Sequence, residues 1–209
     1  MTKEERKDKI KSILKENVDR VGIDALIHHI ENDTDFFTAP CSTQYHLNTE
    51  GGLAEHSLNV YNLLKEKVEQ FKLTKEIPHS SVALCGLLHD LCKTNFYEKG
   101  KKWVKINGGW QEQEVWMVKD KFPVGHGEKS VFLIQRHLLL DDTEIAAIRW
   151  HMMAFDAGIH FNYPSGFPFR SATEKYPLVT LLATADIESG NIIERDENPE
   201  DKLHKTYGK

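Results

Sequence analysis

Val82-Ala83-Leu84-Cys85-Gly86-Leu87-Leu88-His89-Asp90-Leu91-Cys92-Lys93 is the stretch that decides the fold. Nearly every residue from Val82 to Cys92 is apolar or small, which predicts a buried helix. Into that run the sequence sets a histidine followed directly by an aspartate. A carboxylate taken out of water without a partner is costly, and in practice it neutralises, pairs or binds a cation. A bound metal ion is the simplest explanation. Lys93 lies one turn beyond His89 and three residues past Asp90, so it can share their helix face.

On the N-terminal side, Pro78-His79-Ser80-Ser81 reads as a break and a helix start, with Ser80 or Ser81 as N-cap. Before it, Leu53, Val60, Leu64, Val68 and Phe71 form an apolar stripe at helical spacing over 53–71. His56 falls one turn before Val60 and can face inward. Taken alone, an inward histidine reads more readily as a core residue than as a ligand. A loop over 33–52 leads into that helix and carries Pro40, Cys41, Tyr45-His46 and Gly51-Gly52. Residues 3–32 read as helix broken near Val21-Gly22, with His28 and His29 as packing or surface residues.

On the C-terminal side the character changes over 96–123. Trp103 to Ile106 reads as a strand, and Asn107-Gly108-Gly109 as a hairpin turn, because Asn and Gly tolerate positive φ. Trp110 to Val118 continues as a second strand with Trp110, Glu112, Glu114, Trp116 and Val118 on one face. Simple packing is the expectation for these aromatics. Gly125-His126-Gly127-Glu128 opens the next helix. Asp141-Asp142-Thr143-Glu144 is a capping box, and the helix it opens runs to His151. His137 reads as a surface or packing residue. Residues 156–175 read as a loop rich in Gly, Pro and aromatics. Tyr176-Pro177 starts a second buried helix, Leu178 to Ile187, with Pro177 in the first turn. That helix also holds one buried acid, Asp186. From Gly190 the chain is a polar, charged tail.

The whole sequence, 209 residues with net charge −5, suits one domain with a proper core. Both signs of charge are interspersed, which argues against a nucleic-acid coat or a membrane-surface protein. No apolar run approaches membrane-spanning length, and no apolar signal segment follows the charged start. The three cysteines, Cys41, Cys85 and Cys92, form no close zinc pair and read as small core residues in a reducing cytoplasm. No Gly-rich phosphate loop, CxxC pair or Ser-His-Asp order competes with a metal site.

The ordered set His56, His89-Asp90, His126, His151 and Asp186 falls on successive helices. With its wording (Gly51-Gly52-Leu53-Ala54-Glu55-His56-Ser57, Leu87-Leu88-His89-Asp90, Gly125-His126-Gly127, Trp150-His151, Ala183-Thr184-Ala185-Asp186), it resembles the HD-domain superfamily of metal-dependent phosphohydrolases. The wording is most similar to the HD domain of bacterial 3′–5′ exoribonucleases, although their N-terminal OB-fold RNA-binding domain has no room here. The resemblance implies an all-α fold: an HD-domain helical bundle with a β-hairpin inserted around 96–123. A single HD domain would span 1–209, with N-terminal helices at 3–32, the HD core over about 46–190 and a polar tail at 190–209. It further implies that His56, His89, Asp90 and Asp186 hold a first metal and that His126 and His151 complete a second site. Asp90 would bridge the ions as a catalytic residue. Lys93 would balance charge or touch phosphate, in catalysis and substrate binding, and His46 would contact phosphate.

The cofactor implied is one or two divalent ions. Mixed imidazole and carboxylate ligands suit Mn, Fe, Co, Ni or Zn, with Mg as a further candidate. The reaction expected is hydrolysis of a phosphate ester of a nucleotide or nucleic-acid end by a metal-activated water. The expected partner is a phosphorylated small molecule, a nucleotide, with an RNA or DNA 3′ end as the other substrate and no membrane. The alternative is a non-catalytic, metal- and nucleotide-binding regulatory HD module.

Overall fold

The computed structural model describes residues 1–106, 108–156 and 166–195. Helix α1 (Lys3–Asn17) starts with a capping box, in which Thr2 accepts from the Glu5 amide and Glu5 accepts from the Thr2 amide. Helix α2 (Ile23–Asn32) follows Gly22, whose φ of +98° is readily adopted only by glycine. The expected break at Val21-Gly22 is therefore present.

Helices α3 (Gly52–Gln70) and α4 (His79–Leu88) form the centre. Every α4 residue from Ser81 to Leu88 is buried, as befits a helix that is apolar all round. The two helices approach closely at Gly86, where an added Cβ would meet the Tyr61 Cα at 2.7 Å. Helix α8 (Pro177–Glu188) is the second buried helix, packed on α3 and on α6 (Asp142–Trp150). Helix α5 (His126–Gln135) lies against α6. Leucine and isoleucine dominate the shared core, with Leu53, Leu64, Leu84, Leu87, Leu88 and Ile134 fully buried.

A polar clamp joins α4 to α6. Glu144, fully buried, accepts from Arg20 Nη1 and Nη2 at 2.7 Å each and from Ser81 Oγ at 2.7 Å. It also accepts from the Asp141 amide in the expected capping box.

Several expectations are corrected. Helix α4 ends at Leu88, not near Cys92. His89 is its C-cap, Asp90 leaves the helix at φ −102°, ψ 20°, and Leu91–Lys93 forms a 3₁₀ turn. An apolar run alone does not distinguish these states, and here the Thr94 hydroxyl and amide both bond to Leu91 O and close the turn. Pro78 is the N-cap of α4 rather than Ser80 or Ser81. Both serine side chains are engaged in the clamp, Ser81 with Glu144 and Ser80 with Arg20. Phe71 is the C-cap of α3 and is exposed, outside the apolar stripe. The later part of the expected 156–175 loop is helix α7 (Gly166–Lys175), whose first turn accommodates Pro168. Gly158, Tyr163 and Pro164 of that reading lie outside the described residues.

The hairpin is longer than expected: β1 (Tyr97–Ile106) pairs antiparallel with β2 (Gly109–Val118), from Tyr97 opposite Val118 to Ile106 opposite Gly109. Gly108 takes φ +84°; Asn107 lies outside the described residues. The strands pack chiefly on one another. Trp103 and Trp110 are 60% and 67% exposed, so simple packing is not their role. Exposed pairs such as Lys99–Glu114 and Lys101–Glu112 link the strands instead. Among the described residues, no helix is long and apolar enough to cross a membrane.

Candidate metal centre

Five helices bring the six expected ligands together. His56 comes from the second turn of α3, His89 caps α4, and Asp90 follows it. His126 is the first residue of α5, His151 caps α6, and Asp186 comes from the last turn of α8. His46 arrives from the 33–51 loop. The imidazoles form a row in the order His46, His56, His89, His151, His126, with ring centroids 4.9–5.3 Å apart. His28, His29 and His137 stay outside this row, and His29 stacks on His137.

The three most buried histidines share one arrangement. His89 Nδ1 faces Gly86 O at 3.1 Å, and His151 Nδ1 faces Ile148 O at 2.6 Å. His56 Nδ1 faces both oxygens of Glu194, at 3.0 and 3.1 Å. A carbonyl or carboxylate oxygen only accepts, so each Nδ1 carries the proton. In all three rings Nε2 is buried without a hydrogen-bond partner. An unpaired buried polar atom is costly, and here three converge on the same two carboxylates.

His56 Nε2 lies 3.1 Å from Asp186 Oδ1 without an aligned hydrogen bond, and 3.7 Å from Asp90 Oδ2. His89 Nε2 is 3.6 Å from Asp90 Oδ2 and 4.0 Å from Asp186 Oδ1. Two ligand atoms on one ion, each about 2.1 Å from it, stand roughly 3.0–3.5 Å apart. The observed spacings lie in or just above that range, so the residues fit a divalent cation. The other Asp90 oxygen serves a second group: Oδ1 is 2.7 Å from His126 Nε2 and 3.6 Å from His151 Nε2. Asp90 therefore divides its two oxygens between two pairs of histidines, as a bridging ligand would. His56, His89 and Asp90 form one candidate metal group, His89, His151 and Asp186 another, and Asp90, Cys92 and His126 a third.

Electrostatics agree. Burial pushes the His89 imidazole down to about 4, so it is neutral and its Nε2 lone pair is open near pH 7. Burial would also lower His56, but Cys41, Asp186 and Glu194 outweigh it and raise His56 well above its ordinary value. Burial keeps the Cys41 thiol itself protonated, so the two carboxylates are the effective cause. Burial opposes charge on Asp90 too, yet Lys93 and His89, with His126 and His151, hold it well below the usual carboxylate range. Three carboxylates gathered here call for positive charge, which a proton on His56 supplies when no metal does.

The family model for the HD domain matches residues 53–190, most of the chain. The chain belongs to the HD-domain family. Members are metal-dependent phosphohydrolases, and the His/Asp cluster of this HD domain is the matching candidate metal centre. No curated protein and no solved structure matches the chain.

The two expected phosphate contacts both lie beside the cluster. Lys93 Nζ meets Asp90 Oδ2 at 2.6 Å and Cys41 Sγ at 3.7 Å. His46, a quarter exposed, has Nε2 3.5 Å from Cys41 Sγ and 3.7 Å from Glu194 Oε2. A pocket of about 260 Å³ adjoins the centre, lined by Lys93, Phe96, Asp120, Pro123, His126 and Lys129 among others. Its Phe96 and Asp120 flank the hairpin, so the insertion supplies one wall.

Sequence reasoning missed Glu194, which falls in the segment read as polar tail. The described part of that segment is ordered: a π-helical turn, Ser189–Ile193, returns the chain so that Glu194 is buried against His56. No motif surrounds it, and a π turn has no sequence signal. Cys41, read as a core residue, is indeed buried, but it also touches His46 and Lys93.

Proposed function

We propose that this HD domain hydrolyses a phosphate ester of a nucleotide, with a nucleic-acid 3′ end as the second substrate class. The observation that carries the reading is the convergence of three unpaired, buried Nε2 atoms on Asp90 and Asp186. His56, His89, Asp90 and Asp186 would hold one ion, and His126 and His151 with the other Asp90 oxygen a second. Divalent ions there supply an acidified water and neutralise phosphoryl oxygens.

The chain's own residues do the rest. Lys93 balances Asp90 and lines the pocket, where its ammonium is available to a phosphoryl oxygen once Asp90 is engaged by metal. His46, partly exposed, stands at one end of the histidine row and offers a second phosphate contact. Phe96 and Pro123 give the pocket apolar walls, and Asp120 gives it an acceptor for a substrate hydroxyl or amine. A pocket of this size beside the centre favours a small nucleotide over a polymer. The likeness in wording to the exoribonuclease HD domain supports keeping an RNA 3′ end among the substrates. The buried free thiols support a reducing compartment such as the cytoplasm.

The test is metal analysis of the purified chain, then Mn²⁺-supported hydrolysis of a generic phosphodiester, a phosphomonoester and a nucleotide panel. Asp90→Asn and His89→Ala should lose both metal and activity. Full metal-stimulated hydrolysis by either variant would refute the assigned centre. Stoichiometric metal with no turnover across the panel would favour the regulatory binding module.

A further inference from the structure

Glu194 lies beyond the residues matched to the HD domain, yet it is the most extensively bonded acid beside the centre. Its Oε1 accepts from Ser189 Oγ at 2.5 Å and Asn59 Nδ2 at 3.0 Å, and both oxygens face His56 Nδ1. Ser189 and Glu194 are buried. The π turn between them brings Glu194 back onto α3, about two turns beyond Asp186, with the Glu194 amide donating to Ser189 O. A plain structural latch would need only Ser189 and Asn59. The contact of both oxygens with His56 Nδ1 adds a directional effect on a neighbouring ring.

We infer that Glu194 is a positioning residue for the metal centre, holding His56 in the tautomer and orientation that present Nε2. The inference rests on the metal-centre reading above. An imidazole that donates its Nδ1 proton to a carboxylate is a better electron donor at Nε2, and its ring cannot rotate away. His89 and His151 are held by neutral carbonyls instead, so His56 is the one ligand of the three with an anionic support. Helix α8 and the π turn that follows it thereby provide an expected ligand, Asp186, and the support of another, Glu194. The low pKa of Glu194, about 2 against the opposing effect of burial, accords with the contacts from His56, Ser189 and Asn59.

The test is Co²⁺ titration of the full chain, followed by its visible absorption, with proton NMR of the metal-free protein. In the wild type, a slowly exchanging downfield imidazole N–H resonance from His56 is expected before metal is added. Glu194→Ala should remove it. Glu194→Gln keeps an acceptor but loses the charge, and should weaken Co²⁺ binding by about 10–100-fold. Asn191→Ala, in the same turn but exposed, should change neither readout. If Glu194→Ala does not fold, Glu194→Gln carries the test alone. Equal Co²⁺ affinity in wild type and Glu194→Gln, or an N–H resonance indifferent to Glu194, would overturn the inference. A wild type that takes up no Co²⁺ would overturn the metal centre, while the resonance would still report whether Glu194 orients His56.

Discussion

Replacing Arg20 with alanine should destabilise the fold at a point far from any ligand. The carboxylate of Glu144 is fully buried and accepts two bonds from Arg20, one from Ser81 and one from the Asp141 amide. Arg20→Ala removes the only cation paired with it among the described residues and two of its four bonds. Hydrogen bonds to charged groups contribute about 1.5–3 kcal/mol each, and breaking a buried pair costs about 3–5 kcal/mol. The Arg20 side chain is 26% exposed, so water replaces part of its contribution. That places the loss near the lower end, about 3 kcal/mol. For a chain of this length, such a loss lowers Tm by about 6–12 °C. Urea unfolding of Arg20→Ala, Glu144→Gln and the double variant measures it, and the double should lose less than the sum of the singles. A change below about 1 kcal/mol for Arg20→Ala would refute the reasoning, because it would mean that Glu144 is effectively solvated. The clamp also bears on function. It fixes the starts of α4 and α6, whose ends carry His89 and His151, about 12 and 10 Å further along.

Metal binding to the native chain alone should raise stability: at 100 times its Kd, a divalent ion adds about 2.7 kcal/mol, hence about 5–11 °C in Tm. Differential scanning calorimetry before and after chelator treatment checks this, and no shift would contradict the centre. Cys92 is buried with its thiol pushed up to about 12, so at pH 8 only about one part in 10⁴ is thiolate, against about a quarter for an ordinary cysteine. Cys41 and Cys85 are also buried and raised. Native protein should therefore react slowly with a thiol reagent and release three thiols on unfolding; rapid native labelling would contradict the burial. Trp103→Ala and Trp110→Ala should each change unfolding free energy by less than about 0.5 kcal/mol, since both rings are exposed. A loss above 2 kcal/mol in urea unfolding would mean that the hairpin packs on the domain.

The centre was legible because its residues break local rules. Histidine and aspartate inside an apolar run, and a lone acid in another apolar helix, have no place in a core without a partner, so His89, Asp90 and Asp186 stood out. His56, His126 and His151 were not persuasive singly; only their order on successive helices made a set. What stayed hidden depends on tertiary return paths. Glu194 reaches His56 because the backbone changes pitch at Ser189, and Arg20 reaches Glu144 across 124 positions. Helix ends were also obscure, because Val82 to Cys92 remains apolar while its backbone passes from α to 3₁₀. The exposed tryptophans misled for the opposite reason: an alternating aromatic strand looks the same whether or not anything covers it.

The placement of the expected ligands at helix ends shapes the field at the centre. His89 and His151 cap the C-termini of α4 and α6, and helix C-termini favour cations. Helix α5, by contrast, begins at His126 on the pocket wall, and helix N-termini favour anions. Lys93 and Lys129 line that same pocket. Both kinds of group meet at Asp90: its Oδ2 faces His89 and Lys93, and its Oδ1 faces His151 and His126. A phosphate ester entering the pocket would meet Lys93, His126 and Lys129 of its lining. Lys129 is buried and its ion pair is with Asp120, not with an expected ligand, so Lys129→Met, which removes the pocket cation, should weaken substrate binding, read as KM, more than it weakens Co²⁺ binding. A matching loss of metal in Lys129→Met would show that the pocket cation also supports the metal centre.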